Sequence, residues 1–244
     1  MGLPTIAVPQ YELTIPSTEK KAKYRPFLVK EEKVLLIALE SENQTNIINA
    51  IRTIISNCLY GDVNVDEMPT FDLEFIFLQL RAKSKGEVID LKYECPKCKT
   101  ELEVNINTED VNVIKNPEHT NTIELDPDLG VVMKYPTIEM QQMIQDIQED
   151  KKSEVEGIFT MVTKCIDYIY DKDNTYPLKD HTEKEINDFI DSLTDVHFQK
   201  ISKFFDTMPV LKHEFKLNCT KKKKDKTCSY KETITLSGLQ SFFV

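Results

Sequence analysis

Four of the six cysteines fall in two pairs whose spacing suits a metal ion. Two residues, Pro96 and Lys97, separate Cys95 from Cys98, and eight separate Cys219 from Cys228. The first pair sits where the alternating stretch 88–93 turns back into the alternating stretch 101–106. The second closes the loop between 215–218 and 229–231. Two hairpins that each present two thiolates are the parts of a zinc ribbon, in which four sulfurs surround the ion as a tetrahedron. In Cys-x2-Cys the backbone curls so that both sulfurs face one point, Pro96 stiffens the bend, and the following amides can bond the thiolates. Lys97, Lys99 and the run Lys221, Lys222, Lys223, Lys224 would offset the negative charge of zinc bound by four thiolates. Full thiolate ligation leaves no open coordination position, so the expected role is a structural staple and not a catalyst.

Three other readings compete. A redox Cys-x2-Cys should open a helix after a strand, whereas strand sequence follows Cys98. A disulfide pair belongs to oxidising compartments. Four unrelated thiols is the third, and the eight-residue gap departs from the usual two-to-four spacing of zinc ligands. Cys58 and Cys165 lie in apolar helical stripes and read as small buried hydrophobes.

Other chemistry is thinly supplied. The chain has 6 glycines, none close to another. That excludes the phosphate-cradling P-loop, the GxGxxG fingerprint and the GxSxG elbow, each of which needs clustered glycines. The histidines His119, His181, His197 and His213 are scattered, so a hydrolase built on His213 and dispersed carboxylates has no motif behind it. A net charge of −10 opposes broad attraction to nucleic acid or anionic lipid. Arginine is scarce, with Arg25, Arg52 and Arg81 alone, so forked recognition of phosphate or carboxylate is limited. A nucleic-acid-binding zinc-ribbon factor using the lysine run at 221–224 is the alternative reading. No apolar stretch approaches the roughly 20 residues that cross a bilayer, and the opening lacks the pattern of a secretory signal. We therefore expect an intracellular product with no small-molecule substrate and no membrane span.

The elements that must position the cysteines read as an α+β protein. Residues 11–15 and 22–29 form a first hairpin, followed by helices over 30–39 and 46–58. The stretch 71–82 has an ambiguous period; Thr70 as a cap, acidic Asp72 and Glu74 early, and Lys83, Lys85 and Gly86 late favour a buried helix. After the first cysteine hairpin comes a short one, 122–125 with 131–135, turning through Asp126, Pro127 and Asp128. Residues 137–209 read as all-helical. One stripe is Ile138, Met140, Met143, Ile144 and Ile147; another is Val155, Ile158, Phe159, Val162, Cys165, Ile166 and Ile169. A capping box at Thr182 and Glu185 opens a third helix and Thr194 a fourth. The expected organisation is a β-hairpin and zinc-ribbon-like module with N-terminal helices over 1–136, an inserted all-helical region over 137–210, and a return to the ribbon over 211–244. At the apolar end, Leu239, Phe242, Phe243 and Val244 are candidate anchors for a partner.

Several phrases in order carry a family resemblance: Gly2-Leu3-Pro4, the run Tyr24-Arg25-Pro26-Phe27-Leu28-Val29-Lys30-Glu31-Glu32-Lys33, then Met68-Pro69-Thr70-Phe71-Asp72-Leu73-Glu74 with Leu78-Gln79-Leu80-Arg81-Ala82-Lys83-Ser84. The chain resembles the baseplate hub subunit, or hub assembly protein, of T-even-type contractile-tailed phages and their cyanophage relatives, most strongly over roughly the first 110 residues. The resemblance implies a non-enzymatic role in building the central hub of the tail baseplate. Partners would be other hub or tail proteins, met in the host cytoplasm during assembly and in the virion's tail baseplate if the chain is retained. It brings no catalytic residues, and the zinc expectation rests on the cysteines alone.

Overall fold

Alternation at Tyr11, Leu13, Ala22 and Tyr24 closes the first hairpin, but its second strand ends at Tyr24, short of the expected 29, before Pro26. Strand β1 (Tyr11–Thr14) pairs antiparallel with β2 (Lys21–Tyr24), Leu13 opposite Ala22. Helices α1 (Val29–Glu40) and α2 (Gln44–Cys58) follow, and β3 (Leu59–Tyr60) returns to pair with β2. Helix α1 starts where Glu31 accepts the Leu28 amide at 2.8 Å and the Arg25 guanidinium at 3.0 Å, which locks strand to helix. Helix α2 is capped by the Asn43 side chain, which accepts from the Asn46 amide.

Residues Thr70–Lys85 are helical, α3, as the caps indicated. Phe71, Leu73, Ile76, Phe77, Leu78 and Leu80 are all buried, so no single apolar stripe marks it; a helix surrounded by protein is apolar on every side. Its buried Asp72 accepts from both the amide and the hydroxyl of Ser17, pinning the first turn to the helix. The cysteine hairpin is β4 (Val88–Glu94) with β5 (Glu101–Asn107), and a short β6 (Asn112–Ile114) comes next.

Strands β7 (Thr122–Asp126) and β8 (Leu129–Met133) form the expected short hairpin. Gly130 is needed there: a Cβ would lie 2.7 Å from the Ile123 carbonyl oxygen and collide with the Tyr170 ring. The all-helical expectation for 137–210 is corrected by the next elements. Helix α4 (Glu154–Cys165) stops at Cys165, and β9 (Ile166–Asp171) and β10 (Thr175–Pro177) extend the sheet in the order β10-β9-β8-β7. Ile166 and Ile169 continue the helical spacing by coincidence. The Ile-Asp-Tyr-Ile-Tyr composition favours a strand, and Asp171 forces a turn by accepting from the Asp173 and Asn174 amides. Helix α5 (Glu183–Asp191) opens with the expected Thr182–Glu185 box, and α6 (Asp195–Thr207) starts at Thr194. In the first stripe, 138–140 and 142–143 are helical, whereas Ile144 and Ile147 lie outside the described residues.

The chain ends in β11 (Val210–Cys219), the short pair β12 (Lys222–Lys223) and β13 (Lys226–Thr227), and β14 (Tyr230–Ser237). Strand β11 lies between β14 and β6. The computed structural model describes residues 6–140, 142–143, 154–223 and 226–242. It divides into two compact units: Met1–Val65, Phe71–Ile114 and Val210–Val244 form the first; Asp66–Thr70 and Lys115–Pro209 the second. Unit 1 is built on Leu78, Ile89, Leu91, Ile106, Leu211 and Leu236, and unit 2 on Val131, Val162, Ile166, Ile201 and Phe204 with their neighbours.

Candidate metal centre

Each cysteine pair is held by backbone geometry before any ion is considered. At the β4–β5 tip, the Cys95 amide donates to the Thr100 carbonyl at 2.9 Å and the Lys99 amide to the Cys95 carbonyl at 2.8 Å. Lys99 takes a φ of 58°, the left-handed conformation that reverses the chain directly after Cys98. On the other side, Cys219 ends β11 opposite Tyr230, and the Cys228 amide donates to the Lys221 carbonyl at 2.9 Å. The eight-residue gap is therefore a small hairpin, β12 with β13, straddled by its two cysteines. This is how a spacing outside the usual range still delivers two sulfurs to one place.

The two hairpins meet inside unit 1 and bring all four sulfurs within 4.8 Å of one another. Cys98 Sγ lies 3.6 Å from Cys219 Sγ, and Cys95 Sγ lies 3.9 Å from Cys228 Sγ. Zinc–sulfur bonds of about 2.3 Å in a tetrahedron place the sulfurs about 3.8 Å apart. The observed edges match that and far exceed the roughly 2.05 Å of a disulfide. Cys95, Cys219 and Cys228 are buried and Cys98 is half-buried. Around them pack Leu102 and Leu217, with Tyr93 edge-on to Phe215 at 5.5 Å.

The Thr100 hydroxyl, 3.3 Å from Cys98 Sγ, and the Thr100 backbone lower the Cys98 thiol to about 6. At Cys219 the Lys221 amide favours the thiolate, but burial and the neighbouring sulfurs outweigh it and push the thiol up to about 12. One negative sulfur thus disfavours the next. Of the expected lysine counter-charges, Lys99 instead pairs with Glu94 at 3.1 Å, both exposed. Lys97 and Lys221 are exposed, and Lys224 lies outside the described residues.

The remaining candidates fall elsewhere. Cys58 and Cys165 are fully buried, and burial pushes their thiols up to about 11 and about 12, as inert core residues. His213 Nδ1 lies 3.2 Å from the Asp110 backbone carbonyl, a structural contact. Two of the four C-terminal anchor candidates face inward: Leu239 and Phe242 are 5% and 2% exposed, and Phe242 packs with Leu78 and Leu236 in unit 1. The Leu239 amide also donates to Glu74 at 3.1 Å. Apolar residues this close to the cysteine strands fill the chain's own core. Phe243 and Val244 lie outside the described residues.

A family model described as T4 bacteriophage base plate protein matches residues 8–244. The chain belongs to that family. The baseplate assignment thus spans both units and both cysteine hairpins, well beyond the first 110 residues that carried the resemblance. No curated protein and no solved structure matches the chain. Baseplate membership places the protein in the phage tail and implies binding to other tail proteins; among the described residues no helix is long and apolar enough to cross a membrane. Several of the residues that carried the resemblance make structural contacts here. Arg25 and Glu31 lock β2 to α1, Asp72 holds Ser17, and the Ser84 hydroxyl accepts the Phe27 amide at 2.9 Å.

Proposed function

We propose that this protein is a structural or assembly subunit of the central hub of the tail baseplate. It acts by binding other hub and tail proteins, without catalysis, and is recruited in the host cytoplasm. The match to the baseplate family over residues 8–244 carries this reading. The Gly-poor sequence, with no nucleotide cradle and no clustered catalytic triad, agrees with it.

Within that role, Cys95, Cys98, Cys219 and Cys228 hold one structural zinc ion. The donor set supports it: four sulfurs within 4.8 Å, buried or half-buried, at edges suited to tetrahedral zinc. Bound there, zinc supplies cross-linking energy and nothing reactive. It clamps the β4–β5 hairpin to the β11–β14 hairpin and so closes the long intervening chain, unit 2 included, into a loop anchored on unit 1.

Quantitative mass spectrometry of purified particles beside infected-cell lysate tests the baseplate role. A fixed copy number relative to other tail proteins is expected of a hub subunit, and abundance in lysate with absence from particles is expected of an assembly factor. Absence from both particles and tail-assembly intermediates overturns the reading. Elemental analysis of the purified chain tests the metal: one zinc per chain is expected, and none in Cys95→Ser with Cys219→Ser.

A further inference from the structure

Strand β14 forms one edge of the sheet β14-β11-β6, and the bonds at its two ends show which of its residues face outward. The Cys228 amide donates to the Lys221 carbonyl at 2.9 Å and the Gly238 amide to the Leu211 carbonyl at 3.0 Å, both in register with the ladder. In an antiparallel pair the residues bonded to a neighbour recur at every second position. Tyr230, Glu232, Ile234 and Leu236 therefore bond β11, and Lys231, Thr233, Thr235 and Ser237 turn their amides and carbonyls outward. Ser237 fits that phase: its amide donates to the Ser241 hydroxyl at 3.3 Å, and its carbonyl accepts from that hydroxyl at 2.7 Å. Lys231, Thr233 and Thr235 are exposed, and no partner meets their outward groups among the described residues.

Other strand edges are guarded by one device or another. Strands β1, β3, β6 and β10 run for four residues or fewer, β10 with Pro177, and β7 is interrupted by a shift in register between Glu124 and Asp126. The β4–β5 hairpin sets Asp90, Lys92, Glu101 and Glu103 along its solvent face. Strand β14 has none of these devices along most of its length. It keeps one register with β11 from Tyr230 to Ser237, contains no proline, and beyond Lys231 its outward residues are threonine and serine. A long, even edge of this kind is a template for one more strand.

We propose that this edge pairs antiparallel with β14 of a second copy of the chain, about a two-fold axis at Thr233. Register singles out that axis. It sets Thr233 opposite its counterpart and Lys231 opposite Thr235 of the other copy, so every outward residue without a partner enters a bonded pair. An axis at Glu232 would oppose two glutamates and carry Thr235 past the start of β14. An axis at Ile234 would set Lys231 against Ser237, whose outward groups Ser241 already occupies. In the Thr233 register Lys231 meets threonine and Glu232 meets isoleucine, so no like charges lie directly opposite, and threonine pairs are favourable across strands. The pairing also closes on itself. The joined sheet ends on both sides at β6, of three residues, so a two-fold dimer forms and not a filament.

Sedimentation equilibrium of the full chain over a dilution series should show a reversible dimer of 28.3 kDa chains. Thr233→Pro removes an outward amide that the β11 ladder does not use, and Thr233→Lys opposes two lysines at the axis. Each should raise the dimer dissociation constant at least about tenfold while melting close to wild type. In amide exchange of the wild-type chain followed by NMR, Lys231, Thr233 and Thr235 should gain protection with concentration, whereas Glu232 and Ile234 are protected by β11 at every dilution. A chain that stays monomeric, or a dimer that either variant leaves intact, overturns the proposal. Protection of Lys231, Thr233 and Thr235 in the dilute monomer overturns it too, because a segment of the chain itself would then cover the edge. So does protection of those amides only when other tail proteins are added, which would assign the edge to a strand from one of them.

Discussion

The core of unit 2 and the cysteine end of unit 1 are filled differently. Unit 2 closes a conventional apolar core: Val131, Val162, Ile166, Ile201 and Phe204 pack together, with Tyr135, Phe189 and Phe198 against them. At the far end of unit 1, the apolar contribution is small. Leu102 and Leu217 are its fully aliphatic buried members, and the other three buried residues are Cys95, Cys219 and Cys228. The proposed zinc would add a cross-link where this apolar cluster is thin. With the proposed zinc bound, that end and the packed unit should fail under different insults.

Metal removal should separate them most. Chelating the purified chain, or making Cys219→Ser, is expected to remove a folding contribution on the order of 10 kcal/mol from the ribbon end. Hydrogen exchange should show lost protection in β4, β5, β11 and β14 while β7 to β9 keep theirs. Unchanged protection in all strands would mean that the apolar cluster alone holds the hairpins. The reciprocal insult is Phe204→Ala, which should cost unit 2 about 3–5 kcal/mol. Phe204 is 2% exposed and stacks at 5.6 Å on Tyr135. Zinc content should stay at one per chain; a fall in it would mean that the two units do not fail separately.

Both means of closure were visible in the sequence to different degrees. Hairpins announce themselves through alternation between polar turns, so the β4–β5 and β7–β8 pairs were legible, and the cysteines at the tips carried the site with them. Helix α3 was legible through its ends, because its wholly buried middle has no periodic face. Strand β9 was not, since Ile166 and Ile169 fit a helical stripe as well as a strand; the Asp171 to Asn174 turn was the available signal. Leu239 and Phe242 misled because a terminal apolar cluster has the same composition whether it faces inward or toward a partner, and only the tertiary position of Gly238 and Glu74 decides it.

A smaller effect tests how far unit 1 depends on ordinary polar contacts near its N-terminus, away from the staple. Asp72 is fully buried and accepts from the amide and hydroxyl of Ser17. Asp72→Ala should destabilise unit 1 by about 1–3 kcal/mol in denaturant unfolding, leaving the Ser17 donors unmet. Ser17→Ala should cost less, since the amide bond survives. Neither change should alter zinc content, because the contact ties the first turn to α3 and touches no strand of the ribbon.

The smallest effect belongs to unit 2 and separates the units by pH. His119 Nδ1 lies 2.9 Å from the Thr207 hydroxyl and Nε2 3.1 Å from the Tyr135 hydroxyl, with the ring against Phe204 at 5.1 Å. Thr207 donates its own proton to the Lys203 carbonyl, so it accepts from Nδ1–H, and Tyr135 donates to Nε2. The neutral ring is thereby satisfied on both sides, and burial lowers its pKa below 6.5. The unfolded chain takes up a proton at about 6.5 that the folded unit refuses, so stability is fully present above that pH. It declines as pH falls from there toward the lower folded value, and the difference is constant below it. Protection of β7 and β8 amides, taken relative to their intrinsic exchange rates, should fall as pH falls across this window in wild type, and His119→Gln should flatten the slope. A wild-type slope of opposite sign would mean that the ring gains a proton on folding and that an acidic neighbour, not burial, governs it.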